Sequence, residues 1–379
     1  MNKKLLTLAI GAALTSAPMF ANAAATVYGA AHLSIDSLDN GNALNNSVMT
    51  LSSNSSFLGF KAEEDLGGGL KAIYGAEWQI ALDSASTNGA SASTTCNVSA
   101  GTATTGTAIA LITTQPTAAC TDASGIANRN VFVGLTGGFG TVRLGNYDDI
   151  TKQVGRAVDL FMNEQIGESR AATRQSRWDE RLANSVNYES PDLGGAKITV
   201  NYGMANTVTD ASQVTAMAAG VQYNAGPLYV GAAYKTVDLT SSTSASAIRA
   251  TVSYKLMGDA LRLVGFYQDV TSDTVADERS TMGLGVAYKI GNGTIKAQYY
   301  TVDDNNTANT GYELTSIGYD HSLSKTTTVY ATYASMANGT AAAQTVIGAG
   351  HANPSDTTMG TIANGNDVTG ISFGMKMAF

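Results

Sequence analysis

The sequence predicts an all-β protein whose antiparallel strands close into a barrel across a membrane. Three features support this fold class: a secretory leader, strands that alternate apolar and polar residues, and short turns that alternate with long polar connections. The composition agrees, because 40 glycines and 17 tyrosines with only five prolines suit many strands joined by tight turns. Charged residues make up 14% of the chain, below the usual share of about 25%.

The N-terminus has the three parts of a cleaved signal peptide. Basic Lys3 and Lys4 precede an apolar run of ten residues, and Ala21-Asn22-Ala23 matches a signal-peptidase site. The apolar run is too short to cross a bilayer as a helix, which takes about 20 residues. We therefore expect residues 1–23 to be a signal peptide and residues 24–379 to form the barrel domain.

The final strand shows the alternation of apolar and polar residues most plainly. One face is small or charged, and the other carries Ile371, Phe373, Met375, Met377 and Phe379. A half-buried strand of a soluble sandwich has the same period of two. The terminal aromatic residue favours a barrel wall, because soluble chains usually end in frayed polar residues. Inside the chain, Thr294–Tyr300 repeats the pattern, with Ile295 and Tyr299 opposite Lys296 and Gln298.

The turns predict the number of strands. Seven tight turns are expected at Leu66–Gly69, Gly137–Gly140, Pro191–Gly195, Asn224–Pro227, Met257–Asp259, Gly291–Gly293 and Ser322–Lys325. Eight longer connections fall near 37–47, 82–127, 148–178, 206–212, 239–244, 271–278, 303–309 and 337–365. Fifteen connections join sixteen strands, with both termini on the short-turn side. An even strand number with short turns at one end predicts a barrel of the Gram-negative outer membrane.

Charge and residue types argue against several classes of function. The formal net charge is −8, which argues against a nucleic-acid partner. His32, His321 and His351 are scattered singly, and no nucleophile motif accompanies them. We therefore predict neither an enzyme nor a metal site, and no cofactor.

The two cysteines predict a disulfide. Cys96 and Cys120 lie in one Ser/Thr/Ala/Gly-rich stretch that has the composition of an inserted outer loop. The signal peptide places them in an oxidising compartment, and two free thiols are the alternative. The bond would close a loop of 25 residues (96–120), for which the chain-entropy model gives roughly 3.5 kcal/mol.

Short motifs follow one another in a fixed order along the mature chain. They are Thr26–Gly29, Leu58–Lys61, Glu64–Gly67, Arg129–Leu135, Phe139–Gly145, Asn184–Tyr188, Leu323–Thr326 and the terminal Phe379. Each motif alone is weak, but their order and spacing resemble the trimeric general porins of Gram-negative bacteria. The resemblance implies a homotrimer, surrounded by outer-membrane lipid and lipopolysaccharide, that passes small polar solutes and ions by passive diffusion.

The resemblance also implies a pore constriction. It implies that the third outer loop, from Asp148 to roughly Trp178, folds into the lumen and sets acids against basic side chains of the wall. Opposed charges produce a transverse field that favours dipolar solutes. The loop acids are Asp148, Asp149, Asp159, Glu164 and Glu168, and the matching wall bases are Arg129 and Arg181.

The match of the basic wall is incomplete. Ala30, Phe57 and Asn146 stand where members of the family often have Lys or Arg. Three further arginines, Arg170, Arg174 and Arg177, either line the pore from the end of the loop or form a solvated run beside Asp179 and Glu180. A throat with fewer fixed cations holds fewer mobile anions, so the sequence predicts weak cation selectivity.

Three alternatives remain at the level of the sequence. A substrate-specific channel of the same build would need a dense binding ladder, such as an aromatic slide, and none is obvious. An outer-membrane hydrolase would need a convergent nucleophile and base. An adhesin or structural barrel would act through its outer loops, for which the stretch 82–127 is the candidate.

Overall fold

Alternating residues and glycine turns produce a chain of strands with little helix. The computed structural model describes residues 25–42, 47–83, 127–161, 165–173, 178–204, 215–240, 243–273, 278–348 and 362–379. The strands are β1 (Thr26–Asp39), β2 (Val48–Ser53), β3 (Phe57–Gly67), β4 (Leu70–Gln79), β5 (Ala127–Gly137), β6 (Gly140–Asp148), β7 (Arg181–Glu189), β8 (Ala196–Gly203), β9 (Ala216–Ala225), β10 (Leu228–Asp238), β11 (Ser244–Leu256), β12 (Leu261–Ser272), β13 (Arg279–Ile290), β14 (Gly293–Val302), β15 (Tyr312–Ser322), β16 (Thr327–Asn338) and β17 (Val368–Ala378). The helices are α1 (Ile150–Arg156) and α2 (Arg170–Thr173). Within the described residues, neither helix has the length or apolar character needed to cross a bilayer.

The strands form one closed antiparallel sheet. β17 pairs with β1 from Ala30↔Ala378 to Asp39↔Thr369, which joins the two ends of the chain. β2 pairs with one half of β1 and β3 with the other half, so β2 and β3 are two pieces of a single wall strand. The barrel therefore has sixteen wall strands, as the turns predict.

The break between β2 and β3 was not predicted. Ser55 has a positive φ of 51° at this point. The backbone of β1 remains bonded across the break, because the Asn54 amide donates to the His32 carbonyl at 2.9 Å and the His32 amide donates to Ser56 Oγ at 2.9 Å. Side-chain and local backbone groups thus replace the regular ladder.

The connections divide between the two ends of the barrel as expected. The predicted tight turns join β3–β4, β5–β6, β7–β8, β9–β10, β11–β12, β13–β14 and β15–β16. In the first of these, Gly68 and Gly69 have φ values of +62° and +79°, which the tightest hairpin turns require and glycine adopts without strain. Each predicted longer connection lies between the remaining consecutive wall strands, at the opposite end.

Side chains alternate between the outer and inner faces of the wall. On β14, Ile295 and Tyr299 are 49% and 40% exposed, whereas Lys296 and Gln298 are 3% exposed. On the last strand, Phe373 and Met375 are exposed and Ser372 is buried. The outer surface is therefore apolar, as a wall in contact with lipid requires.

The segment between β6 and β7 packs against the inner face of the wall. Ile150 and Val154 of α1 contact Ala218 of β9 and Ala233 of β10 in one buried cluster. Further along, Val158 and Ile166 join a larger core with residues of β1, of β12 and of β14 to β17. A small hydrophobic core thus lies inside the barrel, on one side of its lumen.

The last long connection also turns inward. The Val346 carbonyl accepts a hydrogen bond from the Gly167 amide at 2.7 Å. Val346 and Ile166 are both fully buried and belong to the same core as Leu38 of β1. The described part of this connection therefore covers the segment between β6 and β7.

Candidate functional site

A charged cluster lies where β6 passes into α1. The Asp148 carboxylate contacts Lys152 Nζ at 2.6 Å and Arg181 Nε at 3.2 Å. Asn130 of β5 links the same groups, because its Oδ1 accepts from the Asp148 amide at 3.0 Å and from Arg181 Nε at 3.3 Å. One carboxylate of the loop thus faces a guanidinium of the wall.

The cluster continues along the wall through looser contacts. Arg129 Nε lies 3.5 Å from Glu77 Oε2, and the Tyr28 hydroxyl donates to the other oxygen of Glu77 at 2.9 Å. Arg143 Nη1 lies 3.7 Å from Glu189 Oε2. The charged side chains of these pairs and of Asp148–Arg181 are 10 to 23% exposed. Water therefore reaches this part of the inner wall.

The opposite side of the loop is held by buried ion pairs. Asp149, the N-cap of α1, accepts from the Lys152 amide and contacts Lys235 Nζ of β10 at 2.6 Å. Arg249 of β11 binds both oxygens of Asp179, at 2.7 and 3.1 Å. All the charged side chains of the Asp149–Lys235 and Asp179–Arg249 pairs are at most 2% exposed.

Asp179 is held as a carboxylate by its partners. Burial would raise the pKa of its carboxyl, but Arg249 and a hydrogen bond from Thr173 lower that pKa to about 2. Arg249 also donates to the Thr151 carbonyl at 2.9 Å. One guanidinium of the wall therefore fixes both the start and the end of the loop.

Other loop charges are bound within the loop itself. Asp159 accepts from the amides of Phe161 and Ser169 at 2.9 Å and from Ser169 Oγ at 2.7 Å. Arg170 contacts Glu168 at 2.9 Å, and both side chains are buried. These contacts fix the conformation of the loop. Because Asp159, Glu168 and Arg170 are all hydrogen-bonded within the loop, they contribute little electric field to the lumen.

The structure divides the ten residues that were expected to line the constriction. Asp148 and Arg181 are partly exposed and pair with each other, and Arg129, which is 8% exposed, pairs with Glu77 on the adjoining wall. Asp149, Asp159, Glu168 and Arg170 are buried at 5% exposure or less. Glu164, Arg174 and Arg177 lie outside the described residues, as do Cys96, Cys120 and the signal peptide.

The three positions at which the resemblance implies a basic residue, but the sequence has none, differ in their surroundings. The ring of Phe57 lies on the inner wall, with Arg129 Cζ 4.8 Å from its centroid. Ala30 faces inward and is buried. Asn146 donates to the Arg129 carbonyl at 2.7 Å and so supports the neighbouring strand.

Sequence reasoning placed Lys296 on the inner face but missed most of the other charges there. The cross-strand registers place these basic residues inward: Lys61, Lys71, Arg143, Lys197, Lys235, Arg249, Lys255, Arg262, Arg279, Lys289, Lys296 and Lys376. The inward acids are fewer, namely Asp36, Glu63, Asp65, Glu77, Glu189 and Asp320. Counting alternate positions along each predicted strand would have found this excess of basic residues.

No metal centre emerges within the described part of the chain. There, no group of three or more His, Cys, Asp or Glu side chains is arranged to hold a metal ion. His32 of the inner wall instead contacts the Tyr330 hydroxyl at 2.8 Å, in a buried polar cluster with Asn54 and Ser34.

Known proteins match the chain along most of its length. A family model described as Gram-negative porin matches residues 8–341. Outer membrane porin protein 32 of Delftia acidovorans is 27% identical over the whole of both chains. Major outer membrane protein P.IB of Neisseria lactamica is 25% identical over 91% of this chain and 96% of that protein.

Solved structures share the fold. An anion-selective porin from Comamonas acidovorans superposes with a TM-score of 0.73 at 23% identity, over 94% of this chain and all of that one. OmpF of Salmonella typhi superposes with a TM-score of 0.64 at 14% identity, over 94% of this chain and 98% of that one. With its closed sixteen-stranded wall and the family match, the chain belongs to the Gram-negative porins, which are channels of the outer membrane rather than enzymes.

Proposed function

We propose that this porin is a general diffusion channel for small hydrophilic solutes and ions rather than a channel specific for one substrate. The observation that carries the proposal is the half-exposed cluster in which Asp148 faces Arg181 and Arg129 faces Glu77. Charges of both signs beside the same water attract any small dipolar solute, because the field between them acts on the dipole and not on the outline of the molecule. A loop that narrows the lumen then selects mainly by size.

We infer that the channel prefers anions, which reverses the sign expected from the sequence. Inward-facing bases outnumber inward-facing acids on the described strands, although the chain as a whole is acidic. Ions in the lumen respond to charges within about 8 Å at physiological salt, so acids in distant outer loops contribute little. The related Comamonas acidovorans porin of the same fold is described as anion-selective, in agreement with this inference.

Reconstitution into planar bilayers and liposomes tests both statements. We expect large ohmic conductance steps in KCl and a reversal potential of anion sign in a tenfold KCl gradient. Liposome swelling should slow smoothly with solute size and should not distinguish isomeric sugars of equal mass. Saturable uptake of one isomer would favour the substrate-specific alternative, and a reversal potential of cation sign would contradict the anion preference.

We propose that three copies assemble through the outer face around β1, β2 and β17. Ile35, Leu51 and Phe373 are 50 to 61% exposed there and border a cleft of about 540 Å³. A Vibrio cholerae outer membrane protein of similar fold has been solved in a trimer form. The rest of the apolar outer face would contact outer-membrane lipid and lipopolysaccharide.

The trimer is tested with two matched lysine variants. Ile35→Lys should convert the band near three monomer masses on an unboiled SDS gel into a monomer. Ile248→Lys on β11 carries the same lipid-face penalty, because Ile248 is 55% exposed and Ile35 is 53% exposed, and it should keep the trimer. Equal behaviour of the two variants would contradict the proposed interface.

We also infer a disulfide between Cys96 and Cys120, on the strength of the oxidising compartment. Mass spectrometry of peptides prepared without reductant should recover the two cysteines as one cross-linked pair. Alkylation of both thiols in the untreated protein would contradict the bond.

A further inference from the structure

Two pairs of aromatic rings lie on the inner wall between β1 and β6. The Tyr28 and Phe57 ring centroids are 6.0 Å apart, and those of Phe132 and Tyr147 are 5.2 Å apart, both in edge-to-face geometry. All four side chains are partly exposed. One pair lies on β1 and β3 and the other on β5 and β6, with β4 between them. Both pairs adjoin the charged cluster, because the Tyr28 hydroxyl donates to Glu77 and Arg143 lies over the Tyr147 ring.

Two glycines place rings against the wall. A Cβ on Gly59 would lie 2.6 Å from the Tyr28 ring, and a Cβ on Gly75 would lie 2.6 Å from the Phe132 ring. Each ring therefore covers the backbone of an adjacent strand, where any larger residue would displace it. The wall is built to hold these rings at the edge of the lumen rather than projecting across it.

Two arginines rest on the same rings. Arg129 Cζ lies 4.8 Å from the Phe57 centroid, and Arg143 Cζ lies 4.8 Å from that of Tyr147 and 5.7 Å from that of Phe132. Their carboxylate partners are at 3.5 and 3.7 Å, beyond a short hydrogen bond. Each guanidinium thus keeps donors for a second carboxylate.

Inward rings elsewhere have a different role. Phe266, Tyr300, Tyr312 and Tyr330, on β12 to β16, are only 1 to 6% exposed. Phe266 and Tyr300 pack into the core beneath the loop. That core also buries Tyr312, and Tyr330 lies in the buried polar cluster with His32. Among the described residues, no hydrophobic core covers the rings between β1 and β6.

We propose that Tyr28, Phe57, Phe132 and Tyr147, together with Arg129 and Arg143, form a binding patch for aromatic carboxylates. We call these six residues the aromatic–arginine patch. A planar ring stacks on the aromatic side chains while its carboxylate binds a guanidinium. Weak retention of this kind enriches planar anions in the channel without closing it to other solutes. The inference deepens the proposed diffusion function and rests on it.

Single-channel block distinguishes planar from non-planar anions. Benzoate and cyclohexanecarboxylate carry the same charge and carbon skeleton size, but only benzoate is flat and aromatic. We expect benzoate to reduce the KCl current with a half-blocking concentration about threefold to tenfold lower than that of cyclohexanecarboxylate, the range expected of one aromatic contact. Equal half-blocking concentrations would overturn the proposal.

Variants of the aromatic–arginine patch test whether its rings cause the stronger block by benzoate. Phe132→Leu and Tyr147→Leu keep apolar volume but remove an aromatic face, and each should bring benzoate to within about twofold of cyclohexanecarboxylate. Two variants are made so that a folding failure of one leaves the test intact. Tyr299→Leu on the outer face is the matched control and should retain the full difference. Retention of the full difference by either folded patch variant would also overturn the proposal.

The outcome is separable from that of the proposed function. A protein that inserts but gives no ohmic steps in KCl would contradict the diffusion channel itself. Normal KCl steps with indifferent benzoate would contradict only the aromatic–arginine patch.

Discussion

The two sides of the inward loop carry the same kinds of charged residue in opposite environments. On the side of β10 and β11, Lys235 and Arg249 are at most 1% exposed and clamp Asp149 and Asp179. On the side of β1 to β7, the Asp148–Arg181 pair and its neighbours are 10 to 23% exposed. The buried pairs fix the loop to the wall, and the partly exposed pairs act on the ions and solutes that pass through the lumen beside the loop.

The difference shows that acids on a pore loop are not one functional class. A carboxylate saturated by a buried cation has little field left for the lumen, and removing its partner leaves an uncompensated charge. A half-hydrated pair still polarises nearby water and solutes. Burial and ion pairing therefore determine which charged residues stabilise the loop and which influence permeation.

The largest effect is expected from breaking a buried clamp. Arg249→Ala leaves the Asp179 carboxylate buried without its guanidinium, at a cost of about 3 to 5 kcal/mol. The loop should detach, which lowers the midpoint of thermal unfolding and exposes Arg156 and Arg170 to trypsin. Lys197→Ala is the control, because the Lys197–Glu189 pair is exposed and should contribute nothing measurable. A variant as stable and protease-resistant as the parent would remove the distinction between the two sides.

An intermediate effect is expected from the half-exposed side. Arg181→Gln removes a fixed cation opposite Asp148 and should reduce the anion-to-cation permeability ratio by about twofold. The reversal potential in a tenfold KCl gradient measures this ratio. Lys197→Gln, near the short-turn end, should change the ratio much less because of screening. Equal shifts would mean that permeation senses the total charge rather than the throat.

Phe57→Arg should give a smaller shift in the direction of anions. Phe57 lies on the inner wall beside Arg129, so the new guanidinium adds to a region that is already positive. Mobile anions already gather there and screen part of the added charge. The reversal potential again gives the sign. An unchanged potential would place this position away from the permeation path.

The smallest effect is a dependence on pH. Burial lowers the pKa of Lys152 to about 8, although Asp148 acts in the opposite direction. Raising the pH from about 7 to about 9 neutralises this lysine well before an ordinary one, and Asp148 then loses one cation that forms an ion pair with it and retains Arg181. Selectivity should therefore move slightly toward cations over this range. The shift should disappear in Lys152→Met, and its persistence there would assign it to another group.

The sequence predicted what depends on local periodicity and missed what depends on distant packing. Alternation assigned Ile295 to the outer face and Lys296 to the inner one, because side chains of a strand point to opposite sides in turn. Glycine turns gave the sixteen wall strands. The break at Asn54–Ser56 was not predicted, because its hydrogen-bond partner His32 lies on another strand and local periodicity does not reveal that contact.

The candidate site was predicted only in part. Asp148 and Asp149 are adjacent in sequence, yet the Asp148 side chain is 14% exposed, whereas Asp149 is fully buried against Lys235, which lies far along the chain. Periodicity contains no information about that partner. The aromatic–arginine patch was also invisible, since its rings come from four strands that meet only in the closed wall.

The core inside the barrel also helps to hold the cylinder shut. Residues between β6 and β7 pack against strands from β8 to β17, and Leu38 of β1 shares their core with Val368 of β17. The seam between β1 and β17 joins the two ends of the chain, so its closure costs more loop entropy than any hairpin in the wall. Apolar contacts that span the seam offset part of this cost. The segment that narrows the lumen therefore also stabilises the joint at which the wall could open.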